Sequence, residues 1–210
     1  LLPFVGRDRE LMELENLLKN PMCRLLVILG LGGVGKSRLS QALEKKLQRT
    51  KQYKHGTAFI SLAALQNPAL TPTAIANTLG IPLQGILPPE ALLKKELQQR
   101  EMLLVLDNIE HLLPNVDICL NLLKSCPGLN ILITSRLPVR LDGEWIYHLH
   151  GFKTPTTSED YAQSAAYQLF IQTAQRIKHD FQPNEKDNHS ILNICRMLVG
   201  MPLGIEIAAR

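Results

Sequence analysis

The chain has few cysteines, and they form no recognisable pattern. Four occur in 210 residues, at Cys23, Cys119, Cys126 and Cys195, without a C-x-x-C pair or a repeated spacing. This argues against a zinc-ligand motif and against a small disulfide framework. We therefore expect reduced thiols in a cytoplasmic protein.

Long apolar runs, a signal peptide and internal repeats are also missing. No run approaches the roughly 20 apolar residues that span a bilayer, and the sequence predicts no membrane partner. The net charge is only +4, which indicates no class of ligand. The basic excess within 36–54 is expected to be the solvated face and end of a helix rather than a nucleic-acid patch.

What remains is an ordinary globular composition, with 45% hydrophobic and 20% charged residues. The length of the chain allows one well-packed domain and a smaller one. The sequence starts at Leu1 rather than Met, and we expect it to be a piece of a longer protein.

Short apolar runs alternate with helical patterns over the first three quarters of the chain. The runs typical of buried strands are 24–29, 57–62, 102–106, 130–134 and 145–149, and the helical patterns are 8–19, 36–49, 72–79, 89–100 and 114–125. This alternation predicts an α/β fold, a parallel sheet covered by helices on both faces.

The pattern changes after about residue 155. No strand-like run remains there, and 158–176 and 187–198 are typical of helices. We predict an α/β domain at 1–155 and a helical domain at 156–210, joined by the polar stretch 153–158.

The segment ILGLGGVGKS (28–37) follows the first predicted strand and opens a helix. It fits the phosphate-loop pattern G-x-x-x-x-G-K-[ST], in which glycines let successive backbone N–H groups surround an anion. Lys36 is expected to reach the β- and γ-phosphates, and Ser37 to bind Mg²⁺. The predicted nucleotide-binding residues here are Gly32, Gly33, Val34, Gly35, Lys36, Ser37 and Arg38.

A phosphate loop predicts an acid at the end of another buried strand, which helps to hold magnesium. Asp107 ends the run LLVLD and fits this role. The next residue is Asn108, whose amide cannot accept a proton from water. Glu110 and His111 follow, and either could supply a base or could instead belong to the start of a helix near Pro114. Both interpretations stay open.

A third strand, 130–134, ends in Ser135-Arg136. Ligands gather at the carboxyl ends of parallel strands, so the forked donors of Arg136 are expected to contact a γ-phosphate.

Five motifs follow one another along the chain: FVGR (4–7), GLGGVGKS, LLVLDNIEHL, ILITSR and GMPL (200–203). The chain thereby resembles the STAND class of P-loop ATPases, which includes NB-ARC apoptosis and plant-resistance proteins and bacterial transcription regulators. LDNIEHL and TSRLPVRLDGE are most similar to the bacterial regulator branch.

The resemblance implies roles for residues outside the phosphate loop. Val5, Gly6 and Arg7 match a segment that lies against adenine and ribose, and Arg136 matches the sensor arginine. Met201 and Pro202 match the G-x-P motif of a helical lid. The implied strand order is 5-1-4-3-2. On pattern alone, 4–7 would be a helix lead-in and 200–202 a loop between helices.

The function implied is a signalling switch that binds ATP or ADP with Mg²⁺ between the α/β domain and the lid, and hydrolyses ATP slowly. Lys36, Asp107, Glu110 and Arg136 are the candidate catalytic residues, and Ser37 and Asp107 the metal ligands. The implied partners are a winged helix, a repeat sensor and an effector of the full-length chain, with nucleotide-dependent self-association and DNA contact only through another domain. The lid is expected to be truncated at Arg210.

Two other functions fit parts of the sequence. Asn108, which replaces the second acid of NB-ARC proteins, would suit an assembly module that holds ADP without turnover. A DNA-dependent AAA+ initiator or loader can also begin with a V-G-R-like segment, although the missing acid argues against it.

Overall fold

Apolar strands form a parallel sheet in the computed structural model, which describes residues 4–83, 86–154 and 161–210. The strands are β1 (Leu25–Leu29), β2 (Thr57–Ser61), β3 (Met102–Asp107), β4 (Leu129–Ser135) and β5 (Glu144–His148). Their order is β2-β3-β4-β1-β5, and every pairing is parallel. The predicted α/β class and the order 5-1-4-3-2 are confirmed.

The central strands are buried on both faces, as expected for a parallel sheet covered by helices. All of β3 is buried, and its alternate side chains join a core that also contains Val27, Ile60 and Ile131. The first five helices are α1 (Asp8–Lys19), α2 (Lys36–Arg49), α3 (Thr71–Thr78), α4 (Pro89–Leu97) and α5 (Ile118–Ser125). The helix predicted from 114 begins at Ile118, after a short 3₁₀ turn at Glu110–Leu112.

The chain divides into two compact units. The sheet unit comprises Glu10–Gly30 and Lys36–His148, and the helical unit comprises Leu1–Arg9, Leu31–Gly35 and Leu149–Arg210. The predicted domain boundary at 155/156 lies outside the described residues and stays a prediction.

The helical unit contains α6 (Ala165–Ile177), α7 (Glu185–Met197) and α8 (Pro202–Ala208). Asn184 and Asp187 form a reciprocal capping box that starts α7, which satisfies two backbone donors. Phe170, Leu192 and Ile205 belong to the core of this unit. The sequence pattern missed α8, which begins at Pro202 because proline suits the first helical position.

None of the helices in the described ranges has the length and apolar character needed to cross a bilayer.

Candidate nucleotide-binding site

The carboxyl ends of three neighbouring strands lie together at one edge of the sheet. Leu29 at the end of β1 is in register with Ser135 at the end of β4, and Gly30 N–H donates to the Ser135 carbonyl at 3.2 Å. On the other side of β4, Leu106 of β3 is in register with Ile133. The candidate residues Lys36, Asp107 and Arg136 each follow or complete one of these strands, so this edge is the expected ligand site of a parallel sheet.

Lys36 is the first residue of α2 and is only 9% exposed. Its ammonium donates to the Gly30 carbonyl at 2.7 Å. Burial lowers the pKa of Lys36, the charge of Arg136 lowers it further, and the charges of Glu110 and Asp107 oppose this effect. A bound anion would raise the pKa of Lys36, as the charges of Glu110 and Asp107 do, because opposite charges stabilise each other at low dielectric.

Asp107 ends β3 and is 6% exposed. The hydroxyl of Thr134 donates to Asp107 Oδ1 at 2.6 Å, and the Asp107 carbonyl accepts from Leu62 N–H at 2.9 Å. Oδ2 has no hydrogen-bond partner among the described residues, so one carboxylate oxygen is fixed and the other is available. The sequence analysis did not identify Thr134, although its place directly before Ser135-Arg136 put it at the same sheet edge.

Glu110 and Arg136 form an ion pair. Arg136 Nε lies 2.9 Å from Glu110 Oε1, with the Arg136 side chain 59% exposed and that of Glu110 13% exposed. Glu110 Oε2 is buried and has no hydrogen-bond partner among the described residues. A buried carboxylate oxygen without a partner is costly, which makes this atom ready to accept a hydrogen bond from a ligand or water.

The segment between Asp107 and Glu110 turns sharply. Asn108 has a φ of 68°, a left-handed conformation that asparagine tolerates better than most residues. His111 Nε2 lies 2.7 Å from the Leu65 carbonyl, so Nε2 carries the proton, since a carbonyl only accepts. Its Nδ1 lies 3.5 Å from the Asn108 amide nitrogen. Of the two candidate bases, Glu110 is the one with an unpartnered acceptor oxygen.

The oxygen donors at this edge fit magnesium. Ser37 follows Lys36 in α2, and Asp107 offers Oδ2. Mg²⁺ prefers hard oxygen ligands, and in nucleotide sites it typically takes one or two from the protein and the rest from phosphate and water. No group of three or more His, Cys, Asp or Glu side chains that could hold a metal occurs in the part of the chain that the structure describes. In nucleotide sites generally, phosphate and water supply the remaining magnesium ligands.

The helical unit contains the phosphate-loop segment Leu31–Gly35 together with the candidate nucleoside residues. Arg7 is 6% exposed, and its guanidinium donates to the Val34 carbonyl at 3.3 Å and to the His150 carbonyl at 2.7 Å. It also lies 4.4 Å from the centre of the Phe152 ring, within cation–π range. Arg7 thus holds the loop segment, and its predicted contact with adenine and ribose stays a prediction.

A second contact in this unit joins the loop segment to α8. Leu203 N–H donates to the Gly33 carbonyl at 3.1 Å. This amide lies in the first turn of α8, where no intrahelical acceptor exists for it. Pro202 is buried at the start of the same helix, while Val5 is half-buried and Gly6 and Gly32 are exposed. The sequence analysis did not identify Leu203 as a partner of the loop segment or Phe152 as a partner of Arg7, since both are ordinary apolar residues.

Comparison with known sequences agrees with this geometry. The sequence model of the AAA ATPase domain matches residues 3–141, which include the phosphate loop, Asp107 and Arg136. The chain belongs to the AAA ATPase domain family.

Two curated relatives come from Mycobacterium tuberculosis. An uncharacterized protein is 36% identical over 213 residues, covering 100% of this chain and 50% of its own length. A protein provisionally named an HTH-type transcriptional regulator is 34% identical over 190 residues, covering 89% of this chain and 20% of its own length. The AAA ATPase chain thus spans half or less of the length of these relatives.

Solved structures show the same fold. The ORC1 protein of Aeropyrum pernix, in complex with DNA, matches with a TM-score of 0.66 and 18% identity, over 100% of this chain and 60% of that one. A Signal Transduction ATPase with Numerous Domains (STAND) protein of Pyrococcus horikoshii, with a tetratricopeptide repeat sensor, matches with a TM-score of 0.54 and 15% identity, over 96% of this chain and 29% of that one. Both likenesses, at 18% and 15% identity, show that the AAA ATPase domain shares the fold of these proteins.

Proposed function

We propose that this AAA ATPase domain is an ATP-operated switch in a regulatory protein, which binds ATP or ADP and hydrolyses ATP slowly. The phosphates are bound by residues 32–38, with Lys36 at the β- and γ-phosphates. Ser37 and Asp107 hold magnesium, which when bound would neutralise phosphate charge. The adenosine is contacted by Val5, Gly6, Arg7 and Pro202. The proposal is supported by the family and by the chemistry gathered at the sheet edge.

One observation supports the proposed switch: Arg136 Nε lies 2.9 Å from Glu110 Oε1, so the two side chains form an ion pair. The γ-phosphate of ATP bears more negative charge than one carboxylate and accepts the guanidinium fork with two oxygens. ATP is therefore expected to draw Arg136 away from Glu110, whereas ADP lacks the competing group. A ligand shifts a conformational equilibrium only by its differential contacts with two states, and this exchange of partners is such a contact.

The same exchange prepares hydrolysis. When Arg136 moves to the γ-phosphate, both oxygens of Glu110 become available, and the carboxylate accepts a proton from an attacking water. The water oxygen forms a bond to the γ-phosphorus, the bond to the bridging oxygen breaks, and ADP leaves with that electron pair. Lys36 and Arg136 stabilise the negative charge on the transferred phosphoryl group.

The output is proposed to pass through the helical unit. The Gly33 and Val34 carbonyls of the loop segment accept hydrogen bonds from Leu203 and Arg7, so a change in the loop on nucleotide exchange would change these contacts. We place the protein in the cytoplasm, with a winged helix, a sensor and an effector elsewhere in the full-length chain. Self-association is proposed to depend on the nucleotide, and DNA to be bound only by another domain.

Calorimetry with Arg136→Ala tests the switch. ATP affinity should fall about tenfold, the effect of losing about 1.4 kcal/mol of interaction, while ADP affinity changes less than about threefold. Arg100→Ala is the matched control, because Arg100 also forms a partly exposed ion pair, with Glu96 at 3.4 Å. Equal losses of ATP and ADP affinity would show that Arg136 does not read the γ-phosphate.

A second candidate function is an assembly module that holds ADP without turnover. Asn108 favours it, because the residue directly after Asp107 cannot act as a base and its side chain is directed toward His111. Sustained phosphate release from ATP would exclude this role.

A further inference from the structure

Thr134 forms three hydrogen bonds with the chain segment that begins at Asp107. It is the next-to-last residue of β4 and is 1% exposed. Its hydroxyl donates to Asp107 Oδ1 at 2.6 Å and accepts from Asn108 N–H at 2.9 Å. Its backbone carbonyl accepts from Ile109 N–H at 3.2 Å. One buried residue of β4 therefore contacts three consecutive residues of the neighbouring chain segment.

These contacts fix the carboxylate of Asp107, the proposed magnesium ligand. A hydrogen bond from a hydroxyl to an ionised carboxylate is short and strong, and it holds the Asp107 side chain in a single orientation. Because Oδ1 is occupied, Oδ2 is the oxygen left to accept from a magnesium-bound water. The bond to Asn108 N–H also stabilises the left-handed turn at Asn108, whose φ is 68°.

We infer that Thr134 is a positioning residue that orients the Asp107 carboxylate toward magnesium. The inference rests on the proposed ATP and magnesium binding. Groups that hydrogen-bond to metal-binding side chains commonly change metal affinity by about 10- to 100-fold when they are removed. Thr134 acts in this way through Asp107, without touching nucleotide itself.

The test compares ATP affinity with Mg²⁺ and with EDTA, measured by calorimetry, which needs no turnover. The ratio of the two affinities is the magnesium-dependent gain. Thr134→Val keeps the branched shape but removes the hydroxyl, and should reduce this gain about tenfold while leaving affinity in EDTA within about twofold. Thr134→Ser restores the donor and should recover the gain to within about threefold of the parent.

A double variant separates positioning from general loss of structure. If Thr134 acts through Asp107, adding Thr134→Val to Asp107→Asn should not reduce the magnesium-dependent gain further. A further reduction would show an independent role and overturn the inference. If Thr134→Val does not fold, Thr134→Cys replaces it, since a thiol keeps a γ-atom but donates only weakly.

The outcomes also separate this inference from the proposed function. A parent with a magnesium-dependent gain and a Thr134→Val variant with the same gain would overturn the role of Thr134 alone. A parent whose ATP affinity is equal in Mg²⁺ and EDTA would overturn both the inference and magnesium binding at this site.

Discussion

Replacing Glu110 by glutamine should strengthen ATP binding while slowing hydrolysis. Glutamine keeps the shape of the side chain and can still accept from Arg136, but it lacks the negative charge that holds the guanidinium. Arg136 is 59% exposed, so solvent screens the pair, and a screened pair contributes about 0.5–1 kcal/mol. Relief of this competition should raise ATP affinity about two- to fivefold, with little change in ADP affinity.

Turnover should change in the opposite direction. General bases typically contribute about 10²- to 10⁴-fold to a rate, so phosphate release by Glu110→Gln should fall by about 10²-fold or more. Affinity is measured by calorimetry with ATP and with ADP, and turnover by continuous phosphate release at saturating ATP. The variant thus separates binding from chemistry in a single protein.

The control is Glu96→Gln. Glu96 lies in α4, and its carboxylate pairs with Arg100 in the turn that follows the helix. This variant should alter neither ATP affinity nor turnover. Weaker ATP binding by Glu110→Gln would refute the competition between Glu110 and the γ-phosphate for Arg136. An unchanged rate of phosphate release would refute the role of Glu110 as the general base.

Two further predictions concern the loop segment and the cysteines. Gly33→Ala places a Cβ in a backbone with φ +78° and 2.8 Å from Leu203 Cβ. Because atoms this close must move apart, the variant displaces the loop segment, and ATP affinity measured by calorimetry should fall at least about fivefold, a loss of about 1 kcal/mol. Gly80→Ala, at φ +65° with no neighbour within 4 Å, should lose similar stability in urea unfolding but keep ATP affinity, and equal affinities for both variants would contradict the role of the loop contact. Burial raises the pKa of Cys23 and Cys195 to about 11 and that of Cys119 to about 12, so iodoacetamide at pH 8 should label these thiols only after unfolding in urea. Labelling of the native protein detected by mass spectrometry would show that they are accessible.

The sheet was predictable because its signal is local. Each strand of a buried parallel sheet is a short apolar run, and LLVIL and MLLVLD read as such without knowledge of their neighbours. The strand order came from the resemblance, since no property of single residues determines which strands pair. Helix boundaries were less exact: α5 begins at Ile118 because the chain first forms the 3₁₀ turn at Glu110–Leu112.

The candidate site was only partly predictable. Lys36, Ser37 and Asp107 belong to motifs whose spacing reflects phosphate and metal chemistry, so the sequence indicates them directly. The contacts of Thr134 with Asp107 and Asn108 could not be predicted, because they depend on the side-by-side register of β3 and β4. The ion pair between Glu110 and Arg136 joins residues that are 26 positions apart in the sequence. Only the sheet topology brings them together.

The central claim is that the site at Lys36 binds and hydrolyses ATP, and phosphate release tests it most directly. The parent chain, Lys36→Ala and the control Lys46→Ala are compared at saturating ATP with Mg²⁺; Lys46 pairs with Glu15 at 2.6 Å and lies in the last turn of α2. We expect slow, sustained release from the parent and the control, and none above background from Lys36→Ala. No release from the parent, or equal release from Lys36→Ala, would contradict the claim.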